Sequence, residues 1–418
     1  IIHKAFMRHV LTYGDDGPPI TIGEALRLAK NETTSSLGLA NNTLQFALLG
    51  DPAVRLNLPT VTIVIDSING IPVGDTGKTA IMRAGSLASV IGHVDGQPDF
   101  KGEVSLLVRD SKETITCRNN AGDLKTVFTY TDRTKTIYNG RNTVSGGRFR
   151  LDFAVPKDIN YSDASGLVTA WAINDDHTVM AQGCTDDFIV GGSDVADNDS
   201  IGPSIYCYLN SPSFQNGGTV NTTPYFVAEV KDRDGINASG SGIGHDMQLC
   251  IDGSQLMTYS LNDNFLFDFG SYTSGTTYYN IPELAEGEHT LRFRAWDILN
   301  NATTAELRFN VVRSLKPSFT ISCTDNPASS STTFIISHDR SGSQLDVTVE
   351  VFDLSGRMLW SHSESGVSDG STYTVTWNLT GNNGSRLSTG VYLYRVKLGS
   401  DSAVRTSKAK KLIVIGNN

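Results

Sequence analysis

Residues 44–59, Leu-Gln-Phe-Ala-Leu-Leu-Gly-Asp-Pro-Ala-Val-Arg-Leu-Asn-Leu-Pro, divide the chain into two kinds of sequence. Upstream, apolar residues recur at a helical spacing. Downstream, nearly everything alternates as strands do, with turn residues between. Phe46, Ala47, Leu48 and Leu49 form a short unbroken apolar run, the pattern of a strand buried on both faces. Gly50-Asp51-Pro52 ends it, because Pro52 has no amide hydrogen to donate and steers Asp51 away from helical torsions. Val54, Leu56 and Leu58 then alternate up to Pro59. The seam predicts a small α/β piece over residues 1–59 and a mainly β remainder.

Working back from the seam, Ile2, Phe6, Val10 and Tyr13 fall on one helical face. That pattern is already under way at the first residue, which suggests a fragment or a processed product. After the turn residues 15–19, Thr21 stands three residues before Glu24, the spacing of a capping box. Ile22, Ala25, Leu26 and Ala29 line the face of a second helix, and Asn31 is expected to end it.

Working forward, size and composition favour β modules. At about 150 residues per domain, the 418 residues make roughly three domains, or four if the units are small. Forty glycines imply many turns. Strands are expected over 61–65, 87–94, 103–109, 114–117, 148–155, 167–173 and 188–190, with turns at Asp95-Gly96, Asn139-Gly140 and Gly146-Gly147. These make residues 60–192 a β-sandwich. A linker begins at Gly191 and runs through Asp194, Asp197 and Asp199. Residues 193–314 have the pattern of an immunoglobulin-like module, with strands over 205–209, 225–230, 247–251, 265–269, 289–296 and 304–311. In residues 317–418, Leu345, Val347, Val349 and Val351 alternate with Asp346, Thr348 and Glu350 on the opposite face. Val375, Trp377 and Leu379 mark another strand face. Further strands are expected over 389–396 and 410–415.

Several function classes are disfavoured. A net charge of −10 argues against nucleic acid as a partner and against a basic membrane-binding face. No apolar run approaches the ~20 residues that a membrane helix needs. The five cysteines, at 117, 184, 207, 250 and 323, stand singly and without zinc spacing, so no metal or cofactor site is expected; a Cys207–Cys250 pair stays open. Gly74-Asp75-Thr76-Gly77-Lys78-Thr79 is a false phosphate loop, because Pro72 stands where its first glycine should be. Asp232 and Asp234 begin like a calcium loop, but Ile243 occupies the position where a closing Glu is required. A calcium ion at the acidic linker, 194–199, stays open.

Two resemblances give the chain a family context. The Leu-Leu-Gly-Asp-Pro-Ala-Val-Arg-Leu run, 48–56, and the 22–31 helix resemble the end of the catalytic domain of gingipain-type cysteine peptidases, which are caspase-like α/β enzymes. Residues 317–418 resemble the C-terminal sorting domain of type IX secretion. The matching pieces are Asn326-Pro327-Ala328, Asp353-x-x-Gly356-Arg357, Gly390-Val391-Tyr392 and Lys411 before its apolar run. Asp325 departs from the family, where Pro is usual before the Asn-Pro pair.

The fold expected is therefore mainly β: a short α/β remnant of a caspase-like domain, then three immunoglobulin-like sandwiches. In the family's order the catalytic His and Cys precede the Gly-Asp-Pro strand. Here every Cys follows Pro52, and only His3 and His9 precede it. The resemblance thus implies no catalytic residue in this chain, with His3 and His9 as surface or packing residues and Cys184 as no nucleophile. The order of units is similar to that of the type IX sortases. That likeness implies a parent cysteine peptidase/transpeptidase at the outer-membrane surface, acting on cargo proteins with sorting domains and on anionic lipopolysaccharide. It also implies an outer-membrane β-barrel partner that holds the last module. The residues expected to serve sorting and docking are Asn326, Pro327, Asp353, Gly356, Arg357, Gly390, Tyr392 and Lys411. The final strand, 412–415, flanked by Lys408, Lys410 and Lys411, is expected to be an edge that the partner completes, the alternative being a strand that only closes its own sandwich. The competing readings are a secreted gingipain-like cargo protease and a surface adhesin without enzyme activity.

Overall fold

Alternating apolar residues build most of the strands, and where the alternation stops the chain turns. The computed structural model describes residues 2–13, 17, 19–37, 45–117, 127–194, 199–240, 242, 244–368 and 370–416. It is mainly β, with two α-helices at the start: α1 (Ile2–Val10) and α2 (Ile22–Leu37).

Thr21 caps α2 by accepting from the Glu24 amide at 3.2 Å, but the Glu24 carboxylate binds Arg27 instead of reaching back. The helix does not stop at Asn31. Ala25, Ala29 and Thr33, four residues apart, carry its buried stripe onward, and the Thr33 hydroxyl returns to the Ala29 carbonyl at 2.7 Å.

The seam itself differs from expectation. Residues 46–49 form no strand; Phe46 is 42% and Leu49 96% exposed. A parallel-type strand needs neighbours in a ladder and cover on both faces, and no described strand lies beside it. What the seam does is cap α2. The Ile22 and Gly23 amides, unpaired at the start of a helix, donate to the carbonyls of Val54 at 2.9 Å and Pro52 at 3.0 Å. A Cβ on Gly23 would lie 2.6 Å from the Pro52 Cβ, so the close approach requires glycine.

In the first sandwich, strand Val61–Ile68 serves two sheets. Val61 and Thr62 pair in parallel with Met180–Thr185; from Ile63 the strand pairs antiparallel with Leu87–Val94. Asn139 and Gly140 do not turn. They lie inside strand Thr136–Val144, opposite Leu107 and Leu106. The glycine is there for space, since the Tyr138 ring covers it and a Cβ would fall 2.0 Å from the Tyr138 hydroxyl.

The second sandwich pairs a four-stranded sheet, Ser204–Leu209, Tyr225–Lys231, Ser274–Asn280 and Leu266–Phe267, with a five-stranded one built on Gly287–Trp296 and Ala302–Val311. Cys207 and Cys250 lie in different sheets and all five cysteines are free.

In the last sandwich a three-stranded sheet, Phe319–Cys323, Thr332–His338 and Thr372–Trp377, faces a five-stranded one. Strand Gly390–Ser400 is the latter's spine. It pairs with Gln344–Phe352 on one side, and with both Ala403–Thr406 and Lys410–Val414 on the other. Phe334, Trp377 and Tyr394 fill its centre; Trp377 stacks 5.0 Å from Trp360.

Candidate functional site

Sheet register gathers the motif residues of the last sandwich at one end. Leu393 stands opposite Phe352 on one side and Lys411 on the other. The Asp353–Arg357 turn therefore leaves the sheet at the end where Gly390–Tyr392 begins and where Asn326 meets the last strand.

The turn is held by one carboxylate. Asp353 Oδ1 accepts from the amides of Ser355 at 2.9 Å and Arg357 at 3.0 Å and from the Ser355 hydroxyl, while Arg357 Nε donates to Oδ2 at 3.2 Å. The Ser355 hydroxyl first, with those amides and the Arg357 charge, holds the Asp353 carboxyl below its usual range. Gly356 sits at φ +86, a torsion that favours glycine. The turn presents Leu354, 71% exposed, and Arg357, also exposed, to solvent.

Asn326 works as a piece of backbone. Its Nδ2 donates to the Lys411 carbonyl at 2.9 Å and its Oδ1 accepts from the Ile413 amide at 2.9 Å. The Ala328 amide donates to the Ile413 carbonyl at 2.8 Å, and the Ile415 amide donates to the Ala328 carbonyl at 2.9 Å. Pro327 joins the two through a cis bond. The final strand is thus not an open edge, because Asn326 and Ala328 occupy its outer side. Leu412 and Val414 are wholly buried, so the strand closes its own sandwich. The Tyr392 ring packs inward and its hydroxyl donates to the Ser388 carbonyl at 2.8 Å. Lys411 is exposed.

Alternation placed Glu350 on the face opposite the apolar residues, yet its side chain is only 5% exposed, because Arg395 and Lys397 close over it. Burial alone would raise its pKa, but the two cations bring it net below the usual value. Arg395 also lies 5.0 Å over the Phe352 ring. This pairing was readable only once the register opposing Glu350 and Arg395 was known. The outer face of the sheet carries the Glu350–Arg395–Lys397 cluster, exposed Asp346 and Lys411, with Val391, Leu393 and Ile413 half-buried.

Cys184 is exposed in strand Met180–Thr185. Burial pushes the Cys207 thiol up to about 11, away from a reactive thiolate. His9 meets Glu32 at 3.0 Å on the helical surface, and His3 lies edge-on to Phe46. Among the described residues no group of His, Cys, Asp and Glu has the arrangement of a metal site, and no helix is long and apolar enough to cross a membrane. Most of the acidic linker, 195–198, lies outside the described residues.

Fold and site define a class: sandwich modules behind a short helical unit, ending in a closed sandwich that carries its motifs at one end. Among solved structures, the chain is similar to dimeric latent PorU from Porphyromonas gingivalis, 35% identical over 98% of this chain and 39% of that chain, with a TM-score of 0.42. The chain spans 39% of the PorU chain's length. A tetra-tandem repeat from the extending region of a large adhesion protein is 14% identical, over 84% of this chain and 74% of that one, with a TM-score of 0.21. The FN1–FN3 domains of chicken CNTN1 are 9% identical, over 85% and 97%, with a TM-score of 0.18. Neither of these two bears on function. No protein-family model and no curated protein matches the chain.

Proposed function

We propose that the chain is the non-catalytic C-terminal part of a cell-surface cysteine peptidase/transpeptidase, a sortase that removes sorting domains from type IX secretion cargo and joins the cargo to anionic lipopolysaccharide. The observation that carries this reading is the 35% identity to PorU across 98% of the chain. The order of the motif residues Asn326-Pro327, Asp353, Gly356-Arg357, Gly390 and Lys411 supports it. In this reading the parent's catalytic His and Cys lie outside these residues, and no cofactor or metal is invoked. The last sandwich docks the parent onto an outer-membrane β-barrel protein.

Because the final strand's edge is occupied, the docking surface in this proposal is the outer face of the five-stranded sheet and the Asp353–Arg357 turn. That surface is apolar in the middle, with exposed cations at Arg357 and Lys411. The double charge reversal Arg357→Glu/Lys411→Glu tests it. Arg357 has only a surface ion pair, worth ~0–1 kcal/mol, so the sandwich should keep its near-ultraviolet tryptophan signal. It should no longer co-purify with the barrel. A folded variant that still co-purifies sinks the docking surface.

Intact mass and N-terminal sequencing of the native surface form test the sortase reading itself. Retention of residues 317–418 on a peptidase-bearing chain is the expected result. Their removal would favour a secreted gingipain-like cargo protease, and a mature form with no peptidase domain would favour an adhesin.

A further inference from the structure

The loop that follows strand Thr332–His338 buries two basic side chains, His338 and Arg340, where the last sandwich meets the module before it. The Arg340 side chain is wholly inaccessible. Its Nη2 donates to the Leu315 carbonyl in the linker at 2.8 Å, and its Nη1 pairs with Asp339 at 2.9 Å. Asp339 also accepts from the Ser318 amide at 2.8 Å. Gly342, at φ +70, comes so close to Asn280 of the preceding module that a Cβ would fall 2.0 Å from its Oδ1. The 338–343 loop is the socket in which the linker sits.

His338 holds that socket in shape. Its Nδ1 accepts from the Arg340 amide at 3.1 Å, and its Nε2 lies 3.0 Å from the Ser368 hydroxyl, which donates to the Gly370 carbonyl at 2.8 Å. Every contact is satisfied when the ring is neutral with its proton on Nε2. A proton on Nδ1 would face an amide hydrogen and add a second buried cation beside Arg340, with Asp339 as the counter-charge. Beside the ring, the neighbouring segment contributes Ser368, and the His338 backbone amide donates to the Ser371 carbonyl at 2.8 Å; Phe319 is its strand partner. Asp369 lies outside the described residues. Burial first, and the Arg340 charge against an opposing pull from Asp339, keep the imidazole pKa below its usual value.

We propose that His338 is a proton-operated latch: its neutral ring keeps the 338–343 loop closed on the linker, and proton uptake from solvent at Nδ1 takes the acceptor from the Arg340 amide and frees the linker and the last sandwich. Protons bind the open state more tightly, so acid shifts the population toward it. The latch is at full strength above the ordinary imidazole pKa of about 6.5, and it weakens as the pH falls below that value.

Amide hydrogen exchange on the full chain, corrected for the intrinsic pH dependence of exchange, tests the latch. Between about pH 7.5 and about pH 5.5, protection at residues 313–318 and at Arg340 should fall several-fold. The core strand Gln344–Phe352 should keep its protection. In His338→Asn, Oδ1 can accept from the Arg340 amide and cannot take up a proton, so linker protection should become independent of pH. A wild-type linker whose protection does not change overturns the proposal, as does a His338→Asn linker that still loosens in acid. Should that variant not fold, ring nitrogen shifts of wild-type His338 decide the matter: titration in step with the loss of protection supports the latch, and titration out of step, or none, overturns it.

Discussion

The two junctions between sandwiches are built on opposite plans. Between the first and second sandwiches the apolar core is continuous: one cluster runs from Ile63 to Val311. Tyr138 stacks on Phe153 at 4.7 Å and lies 5.2 Å from Phe267 of the next module, and burial pushes its phenol up to about 12. At the rim, Asp158 accepts from Asn237 at 3.0 Å, His245 at 2.7 Å and Asn300 at 2.9 Å, all on the other side of the junction. Between the second and last sandwiches the cores are separate, and the last one runs from Ile321 to Val414. What joins them is polar: Asn221 to Asp401 at 2.7 Å, Arg405 to the Pro317 carbonyl, and the Arg340 socket. Apolar burial is proportional to area, whereas hydrogen bonds at a seam contribute about 1 kcal/mol each. The first junction is a weld; the second is a joint. The two histidines follow the same division. His245 faces the Asp158 carboxylate. His338 faces an amide hydrogen, so a proton weakens its contact.

The largest effect should come from the core of the last sandwich. Trp377 is 2% exposed and donates to the Thr380 carbonyl at 2.9 Å. Trp377→Ala should cost about 3–5 kcal/mol. With separate cores, the loss should appear in calorimetry as a lower transition for the last sandwich alone, while the transition of residues 60–311 stays in place. Movement of both transitions together would mean the joint is a weld after all.

Asp158→Ala is the matching test of the weld. It leaves three donors without an acceptor at a site where Asp158 itself is only 10% exposed. The expected cost is on the order of 3 kcal/mol, since bonds to a charged group are each worth ~1.5–3 kcal/mol and some donors will find water. Urea denaturation followed by exchange should show the common transition of the first two sandwiches broaden or split. A transition that is shifted but still single would indicate that the shared core is sufficient without the rim.

This division was only partly legible in the sequence. The mainly β fold was, because strands such as Gln344–Phe352 and Gly287–Trp296 alternate cleanly. Strands rich in Thr, Ser, Asn and Gly, such as Thr136–Val144 and Met358–Val367, were missed, because their ladder comes from neighbours and not from local pattern. The 46–49 run misled for the same reason in reverse: its pattern specifies a strand, but a strand exists only with a partner. In the motif-bearing end, Gly356 and the Asp353 turn could be read directly, since their geometry is local. The double bond of Asn326 to the last strand joins positions 85 and 87 residues apart and could not. Nor could the socket, since nothing local distinguishes a buried Arg340 from an exposed arginine.

The smallest effect concerns that distant pairing, and it bears on which side of the joint carries function. Asn326 is exposed, and its two bonds to Lys411 and Ile413 substitute for one residue of a neighbouring strand. At about 1 kcal/mol per bond, Asn326→Ala should lower the stability of the last sandwich by about 1–2 kcal/mol. Asn326→Asp keeps the acceptor for the Ile413 amide but loses the donor to the Lys411 carbonyl, so it should fall between wild type and alanine. Both variants should leave the transition of residues 60–311 unmoved. Exchange at the Ile413 amide is the specific readout: it should quicken in the alanine variant and stay slow in the aspartate one. If both variants leave Ile413 protected, Ala328 alone closes the edge, and the Asn-Pro motif needs a reason outside the fold of its own sandwich. If the alanine variant frees the edge, the motif is what keeps the last strand from pairing with another chain.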